Sequence, residues 1–217
     1  MKYEHLKKVN DYIYEEIFNW NVYQVNPTEL RGANVLDVGG HYGFFSCLAD
    51  SLGAKRIIGV EANPYNYLKY VQFTKDISNC KCVNAALASK SGELVTIDNN
   101  NEQSTVGKGS INVATITLEE VVGMFPEKED IFLKMDIEGA EYDVLLSAPG
   151  HILKRFDTIA LEMHDASKFE YLDSYLRYEG FNQVWRGNFF QNFGSEQQKQ
   201  VDEIAIFKYK RAFKLYY

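Results

Sequence analysis

The sequence contains few cysteines, three among 217 residues, and they form no cluster with histidine at the spacing of a zinc site. Cys47, Cys80 and Cys82 are an odd number, so they cannot all pair within one chain. Cys80 and Cys82 form a C-x-C pair with no second cysteine or histidine pair to complete it. We therefore expect buried or unreactive thiols rather than disulfide or zinc chemistry.

The sequence also lacks an apolar run long enough to cross a bilayer. Its first residues, MKYEHLKKVNDYIYEE, lack the apolar centre of a signal peptide. We therefore expect a soluble, cytoplasmic protein.

Basic residues are fewer than acidic residues: the chain has 23 Lys and Arg and 30 Asp and Glu, which gives a formal net charge of −7. Such an acidic chain disfavours broad electrostatic binding to nucleic acid or to an anionic membrane. A local basic groove stays open as an alternative. The basic run KYKRAFK, at residues 208–214, is interpreted as a solvated tail.

What the sequence does contain is enough apolar material for a substantial core, with 46% hydrophobic and 14% aromatic residues. The length favours one domain. Residues 1–30 are predicted to be an N-terminal helical extension, because Leu6, Val9, Tyr12, Ile13 and Ile17 recur at helical spacing. Residues 31–217 are predicted to form the main domain.

Apolar strand-like runs alternate with helical patterns from Asn34 onward, which predicts an α/β fold with a mostly parallel sheet and helices on both faces. The predicted strands are, in order, NVLDV, KRIIGVE, KCVNAAL, GELVTID, VATIT, DIFLKMD, TIALEMH, FNQVWRG and DEIAIFKYK. Asn63 with Pro64, and Thr117 with Glu120, are predicted to start helices. The last two strands follow each other without a helix, which predicts an antiparallel pair at the edge of the sheet.

A glycine-rich turn follows the first predicted strand in VLDVGGHYGFFS, where Gly39, Gly40 and Gly43 lie at the start of a helix. Glycine allows a ligand to approach the backbone closely. Glu61 ends the second strand, 18 residues after Gly43. An acid at that place in a nucleotide-binding unit commonly binds the ribose hydroxyls. Together these residues predict a ligand that contains adenosine.

Asp37 favours S-adenosylmethionine over NAD as that ligand. Its carboxylate precedes the turn and would repel a pyrophosphate, whereas it would attract the ammonium and sulfonium groups of S-adenosylmethionine. Two alternatives stay open: Asp37 as a turn residue that bonds local amides, and Glu61 as a solvated strand end.

Four acids occupy LKMDIEGAEYDVL, namely Asp136, Glu138, Glu141 and Asp143. Favourable interaction with a helix N-terminus accounts for Glu141 and Asp143. Asp136 comes before the turn, at the carboxyl end of a strand, where ligands of parallel sheets bind.

A second strand, ALEMH, ends in Glu162 and His164, which share one face because they are two residues apart. Asp136, Glu162 and His164 could converge on a substrate hydroxyl or on a divalent metal. The alternative is a hydrogen-bonded network at the rim of the sheet. Lys134, unusual in a buried strand, is predicted to pair with Asp136 or Glu162.

Three blocks of the sequence, taken together, resemble the FkbM family of S-adenosylmethionine-dependent methyltransferases. These blocks are VLDVGGHYGFFS, VEANP, and LKMDIEGAEYDVL after TITLEEV. The last is the most specific, and the resemblance extends over about residues 35–164. The chain departs from the usual family pattern at Gly40, where alanine is common, and in EANP, where proline often follows the acid directly.

This resemblance implies a single Rossmann-like methyltransferase domain with seven strands, the last of them antiparallel. It also implies that Asp37, Gly39, Gly40 and Gly43 contact the methionine half of S-adenosylmethionine. By the same resemblance Glu61 binds the ribose, and Ala85 or Ala86 lies near the adenine. The acids Asp136, Glu138 and Glu141 would shape the side where reaction occurs.

The resulting hypothesis is transfer of a methyl group to a hydroxyl of a small molecule or sugar. An alcohol must lose a proton, so a base or a metal is expected near the methyl group. Asp136 or His164 is predicted to be the base, positioned by Glu138 and Glu162, and a metal, if present, would use Asp136, Glu162 and His164.

Three other functions remain as alternatives: an RNA methyltransferase, a non-catalytic S-adenosylmethionine-binding protein and, disfavoured by Asp37, an NAD-dependent oxidoreductase. The polar stretch Asn99–Asn112 is predicted to be a loop over the site. Trp185, Phe189 and Phe190 could stack on a sugar there, with packing in the core as the alternative.

Overall fold

The computed structural model describes residues 2–98, 109–187 and 203–210. Its strands are β1 (Asn34–Val38), β2 (Arg56–Glu61), β3 (Cys80–Asn84), β4 (Ala86–Leu87), β5 (Leu94–Ile97), β6 (Ile111–Ile116), β7 (Ile131–Met135), β8 (Phe156–Met163), β9 (Phe181–Gly187) and β10 (Glu203–Tyr209). Its α-helices are α1 (Asp11–Tyr14), α2 (Pro27–Leu30), α3 (Phe44–Ser51), α4 (Pro64–Thr74), α5 (Leu118–Val122), α6 (Glu141–Ser147), α7 (Gly150–Leu153) and α8 (Phe169–Glu179).

The main sheet has seven strands in the order β3-β2-β1-β7-β8-β10-β9, and β4, β6 and β5 form a small second sheet. β1 is parallel to β2 and β7, and the parallel pairing continues to β3 and β8. β10 is antiparallel to both of its neighbours. The predicted α/β fold, with a mostly parallel sheet and an antiparallel pair at its end, is confirmed.

Helices cover both faces of the main sheet, as the alternation of side chains along β1 shows. Leu36 and Val38 face a core shared with α5, α6 and α8. Val35 faces a second core, which contains residues of α3 and of the N-terminal segment. Successive side chains of a strand point to opposite faces, so the two cores lie on opposite sides of the sheet.

The N-terminal segment, residues 2–30, is helical but not one helix. It contains a 3₁₀ turn at Glu4–Lys8, α1, a π-helical turn at Glu15–Trp20 and α2. Asn21 ends the π-helical turn with a φ of 51°. Leu6, Ile17 and Val25 are buried in the same core as α3, whereas Val9 and Tyr12 are exposed. The division of the chain at residue 30 stays a prediction.

The predicted helix starts are confirmed. The Asn63 side chain accepts hydrogen bonds from the backbone N–H groups of Tyr65 and Asn66. Thr117 and Glu120 form the predicted capping box at the start of α5. These caps satisfy N–H groups that have no partner within the helix.

Several predicted boundaries differ from the structure. KCVNAAL is not one strand: β3 ends at Asn84, and β4 pairs with β6 in the second sheet. The polar stretch predicted as a loop contains the start of β6 at Ile111, because Ile111 pairs with Ile97 of β5. Residues 99–108, Phe189, Phe190 and residues 211–214 of the basic run lie outside the described residues. In the described part of the chain, no helix combines the length and the apolar character needed to cross a membrane.

Candidate functional site

A cleft opens at the carboxyl ends of β1, β2 and β7, where the parallel topology places ligands. It is lined by Gly39, Glu61, Ala85, Ala86 and Asp136, among others, and the space between its walls, including the part open to solvent, is about 630 Å³. Four of the residues predicted to bind the cofactor therefore lie on one surface.

Gly39 is required by the geometry of this turn. Its φ is +70°, and a Cβ there would lie 1.6 Å from the backbone oxygen of Asp136. The glycine thus allows the turn after β1 to lie directly against the turn after β7. This contact brings the cleft wall close to the acids that follow β7.

Asp37 does not line the cleft, and its predicted contact with the cofactor stays a prediction. Its side chain is fully buried and accepts a hydrogen bond of 2.7 Å from the Ser46 hydroxyl. The Lys134 ammonium lies 3.6 Å from its other carboxylate oxygen. Strand register explains the pair, since Asp37 and Lys134 are direct partners in β1 and β7. The charge expected to select the ligand is therefore balanced inside the protein.

Gly40 and Gly43 are not among the residues that line the cleft. A Cβ at Gly40 would lie 2.6 Å from the Tyr70 ring, and one at Gly43 would lie 3.0 Å from Thr74 and 3.2 Å from that ring. These glycines allow the turn to pack against α4. Their predicted contacts with the cofactor stay a prediction.

Glu61 lies at the cleft, with both carboxylate oxygens already bonded to backbone. The N–H groups of His41 and Asn63 donate to its two oxygens at 2.7 and 2.8 Å. Burial raises the pKa of Glu61 to about 7, although these hydrogen bonds oppose the shift. Each oxygen retains a second lone pair, so the carboxylate is oriented and can still accept ribose hydroxyls.

Four side chains, Asp136, Glu138, Glu162 and His164, form what we call the reaction rim beside the cleft. The His164 Nε2 atom lies 3.4 Å from a Glu138 oxygen and 3.7 Å from an Asp136 oxygen. Lys134 pairs with Ala160 across β7 and β8, so Asp136 and Glu162, each two residues further on, emerge side by side. Asp136 therefore lies next to both His164 and Glu162, and the predicted convergence of the three side chains on a hydroxyl or a metal stays a prediction.

Glu141, which sequence reasoning explained mainly by the helix dipole, organises this rim. Its fully buried carboxylate accepts hydrogen bonds from the backbone N–H groups of Ile137 and Gly139, and lies 2.9 Å from His164 Nδ1. Burial alone would lower the pKa of His164, but the hydrogen bond to Glu141 and the charges of Asp136, Glu141 and Glu138 raise it to about 10. Glu141 therefore fixes the direction of the imidazole.

Lys134 links the rim to the glycine turn. Its ammonium donates a hydrogen bond of 2.7 Å to the carbonyl of Gly39 and lies 3.6 Å from Asp136. Burial disfavours the ammonium, but the charges of Asp136 and Asp37 outweigh it and raise the pKa of Lys134. The predicted pairing with Asp136 is confirmed, and Asp37 is an additional partner.

Tyr23 is a rim contact that sequence reasoning missed. Its phenol lies 3.2 Å from an Asp136 oxygen and 3.0 Å from a Glu162 oxygen. Tyr23 belongs to the N-terminal segment, more than a hundred positions from either acid. No local pattern in the sequence indicates a contact of that kind.

The residues able to hold a cation differ in one member from the predicted set. In the described part of the chain, Asp136, Glu138 and His164 each offer one ligand atom, and these atoms lie within 4.8 Å of one another. Glu162 is not in this group, because its side chain points toward Tyr23. One imidazole and two carboxylates suit a divalent ion such as Mn²⁺ or Zn²⁺.

A sequence model of the methyltransferase FkbM domain matches residues 37–182, which contain the glycine turn, Glu61 and the whole reaction rim, but not its contact residue Tyr23. The chain belongs to the FkbM methyltransferase family. By family and fold it is an S-adenosylmethionine-dependent methyltransferase, so the resemblance seen in the sequence is confirmed.

Solved structures similar to this FkbM protein include methyltransferases of varied substrate. One is a candidate RNA methyltransferase from Pyrococcus horikoshii, 16% identical, with a TM-score of 0.52 over 91% of this chain and 83% of that one. Another is a precorrin-6y C5,15-methyltransferase from Geobacter metallireducens, 14% identical, with a TM-score of 0.51 over 88% and 89%.

A third is a candidate tRNA (m1A22) methyltransferase from Streptococcus pneumoniae in complex with S-adenosylmethionine, 14% identical, with a TM-score of 0.52 over 84% and 69%. At these identities the likeness concerns the fold. No curated protein sequence gives a significant match to the chain.

Proposed function

We propose that this FkbM protein methylates a hydroxyl group of a small molecule or sugar, with Asp136 as the base. The observation that carries the proposal is that Asp136 belongs both to the cleft lining and to the reaction rim. Glu162 and His164 do not line the cleft. Asp136 is therefore the rim acid placed to contact a substrate beside the cofactor, together with Glu138.

The cleft residues fit S-adenosylmethionine. Gly39 would allow the ligand to approach the backbone, Glu61 would accept the ribose hydroxyls, and Ala85 and Ala86 would leave room for the adenine. When bound, the cofactor supplies a methyl group activated by the sulfonium. Its binding there does not depend on the charge of Asp37, since Lys134 balances that charge.

The chain's own part in the reaction is to align the acceptor and remove its proton. Asp136 would accept the hydroxyl proton, while Glu138 and His164 hold the opposite side of the rim. The His164 imidazole, oriented by Glu141, would stabilise the charge of the neighbouring carboxylates. Hydroxyl acceptors fit this rim, because an acidic surface accepts hydrogen bonds from neutral polyols and repels phosphate groups.

The test is methyl transfer from labelled S-adenosylmethionine to pools of small hydroxyl compounds, oligosaccharides and RNA. Asp136→Asn and His164→Ala should both retain affinity for S-adenosylhomocysteine, and Asp136→Asn should lower turnover by about 100-fold. Full turnover in Asp136→Asn would contradict the assignment. Methylation of RNA alone would replace the hydroxyl proposal, and cofactor binding without any transfer would favour a non-catalytic role.

A divalent cation held by Asp136, Glu138 and His164 is the second form of this proposal, supported by the spacing of their ligand atoms. A cation there would lower the pKa of a bound hydroxyl. Calorimetric titration of the chelator-treated protein with Mn²⁺ tests it. Binding that His164→Ala abolishes would support the cation, and absence of binding with full activity would exclude it.

A further inference from the structure

The N-terminal segment supplies a side chain to the reaction rim although it precedes the family match at residues 37–182. Lys134, Asp136 and Glu162 project from the face of the sheet that this segment covers, since Phe132 and Ala160 on that face pack in its core. Tyr23 therefore faces these side chains from across the core. The rim and the contacts that hold it come from both parts of the chain.

A small loop holds Tyr23 in place. Asn21 closes it, because the Asn21 side chain accepts a hydrogen bond of 2.8 Å from the Val25 N–H and donates one of 3.0 Å to the Val25 carbonyl. Val25 is buried, and the Tyr23 ring packs edge-to-face on Phe45 with centroids 5.6 Å apart. The phenol is therefore directed by a fixed backbone and a packed ring.

The Tyr23 phenol contacts one of the two carboxylate oxygens of Asp136, and the other oxygen faces away from it. Tyr23 Oη and Lys134 Nζ lie 3.2 and 3.6 Å from Oδ2 of Asp136, whereas His164 Nε2 lies nearest Oδ1. Tyr23 Oη also lies 3.0 Å from Glu162, so the phenol separates two carboxylates that would otherwise face each other. Tyr23 does not line the cleft.

We infer that Tyr23 is a positioning residue for the reaction, which fixes the direction of the Asp136 carboxylate and keeps it apart from Glu162. This inference rests on the proposed function. It adds to the functional site a segment of the chain that precedes the family match. A carboxylate misplaced by a fraction of an ångström is expected to lower turnover while leaving cofactor binding intact.

Tyr3→Phe is a matched control for Tyr23→Phe. Tyr3 lies in the same segment, is almost equally buried, and its phenol donates to the carboxylate of Asp50, away from the rim. Both variants retain the ring and lose a hydrogen bond between a phenol and an aspartate, and Tyr23→Phe also loses the contact with Glu162. Tyr23→Phe should lower kcat by about 10- to 100-fold and shift its pH profile, with unchanged affinity for S-adenosylhomocysteine. Tyr3→Phe should change none of these.

A second measurement does not require an acceptor. In protein labelled with ¹³C at the aspartate carboxyl, Tyr23→Phe should move the Asp136 resonance and Tyr3→Phe the Asp50 resonance, each assigned from its Asp→Asn variant. An unmoved Asp136 signal, or equal losses of kcat in both variants, would overturn the inference. If the wild type methylates no acceptor, the proposed function fails, and the Asp136 resonance alone decides the role of Tyr23.

A double-mutant cycle separates positioning from a general loss of stability. If Tyr23 acts through Asp136, Tyr23→Phe should have no further effect on turnover in the Asp136→Asn background. Additive losses would contradict the inference.

Discussion

At the scale of single residues, the site depends on close contacts between residues that are distant in the sequence. Gly39 touches the turn after β7, and Glu61 bonds two backbone N–H groups with one carboxylate. Gly39 and Glu61 each depend on contacts with other parts of the chain. A substitution at either position therefore tests those contacts.

Gly39→Ala should destabilise the protein by about 3 kcal/mol or more, because the new methyl group would overlap the Asp136 carbonyl and force the two turns apart. Gly32→Ala is the control, since Gly32 has a similar φ of +73° but open space around it. It should cost about 1 kcal/mol through backbone strain alone. Urea denaturation measures both, and equal losses would show that the contact is unimportant.

The pKa of Glu61 predicts how stability varies with pH in the absence of cofactor. Burial raises this pKa from 4.5 to about 7, so the folded protein binds the proton more tightly than the unfolded chain does. The stabilisation is complete below about pH 4.5 and is lost as the pH rises toward 7. The loss due to Glu61 should be about 2–3 kcal/mol.

Denaturation of the wild type and Glu61→Gln across this pH range provides the measurement. A glutamine side chain cannot titrate, so the variant should show a shallower decline in the free energy of unfolding. Parallel curves would mean that the pKa of Glu61 is the same in the folded and the unfolded protein, which would contradict the prediction.

At the scale of secondary-structure elements, helix starts connect stability to the cleft. Asn63 caps α4 through its side chain, and its backbone N–H donates to Glu61. Thr117 caps α5, away from the cleft lining. Both side chains bond backbone N–H groups at the start of a helix. The Asn63 cap lies next to the cleft residue Glu61, whereas Thr117 is not a cleft residue.

Asn63→Ala and Thr117→Ala should each lower the free energy of unfolding by about 1 kcal/mol through loss of the cap. Only Asn63→Ala should also weaken binding of S-adenosylhomocysteine, by about 10-fold, which corresponds to about 1.4 kcal/mol. Calorimetric titration tests this difference. Equal affinities in the two variants would show that the start of α4 does not support Glu61.

Local signals predicted these elements well because their causes are local. The apolar content of NVLDV and DIFLKMD identified β1 and β7, and Asn63 and Thr117 identified two helix starts. The split of KCVNAAL was not predictable, because it arises from pairing of β4 with β6. The surroundings of Asp37 were not predictable for a related reason: its partner, Lys134, is set by the register between two strands that are distant in sequence.

At the scale of the whole molecule, the N-terminal segment shares one core with α3 and the sheet. The helical spacing of its apolar residues was visible in the sequence, but the side it packs on was not. Tyr23 could therefore not be assigned to the rim beforehand. The segment and the remaining chain are expected to unfold together.

Leu6→Ala tests this expectation. Leu6 is fully buried, so the substitution should lower the free energy of the single unfolding transition by about 2–5 kcal/mol. Val9→Ala, at a 42% exposed position of the same segment, should cost less than about 1 kcal/mol. Calorimetry that resolved a separate, early transition in Leu6→Ala would indicate that the segment unfolds independently.

The position of β10 between β8 and β9 has a consequence for how the protein is made. During synthesis β9 leaves the ribosome before β10, yet among the strands that the structure describes β9 pairs only with β10. Until residues 203–209 emerge, β8 keeps an open edge beside Glu162, whose neighbour in the finished sheet is Ile204. The nascent chain should therefore carry an unpaired strand edge that chaperones can bind, and catalytic competence should arise only after this strand has been translated.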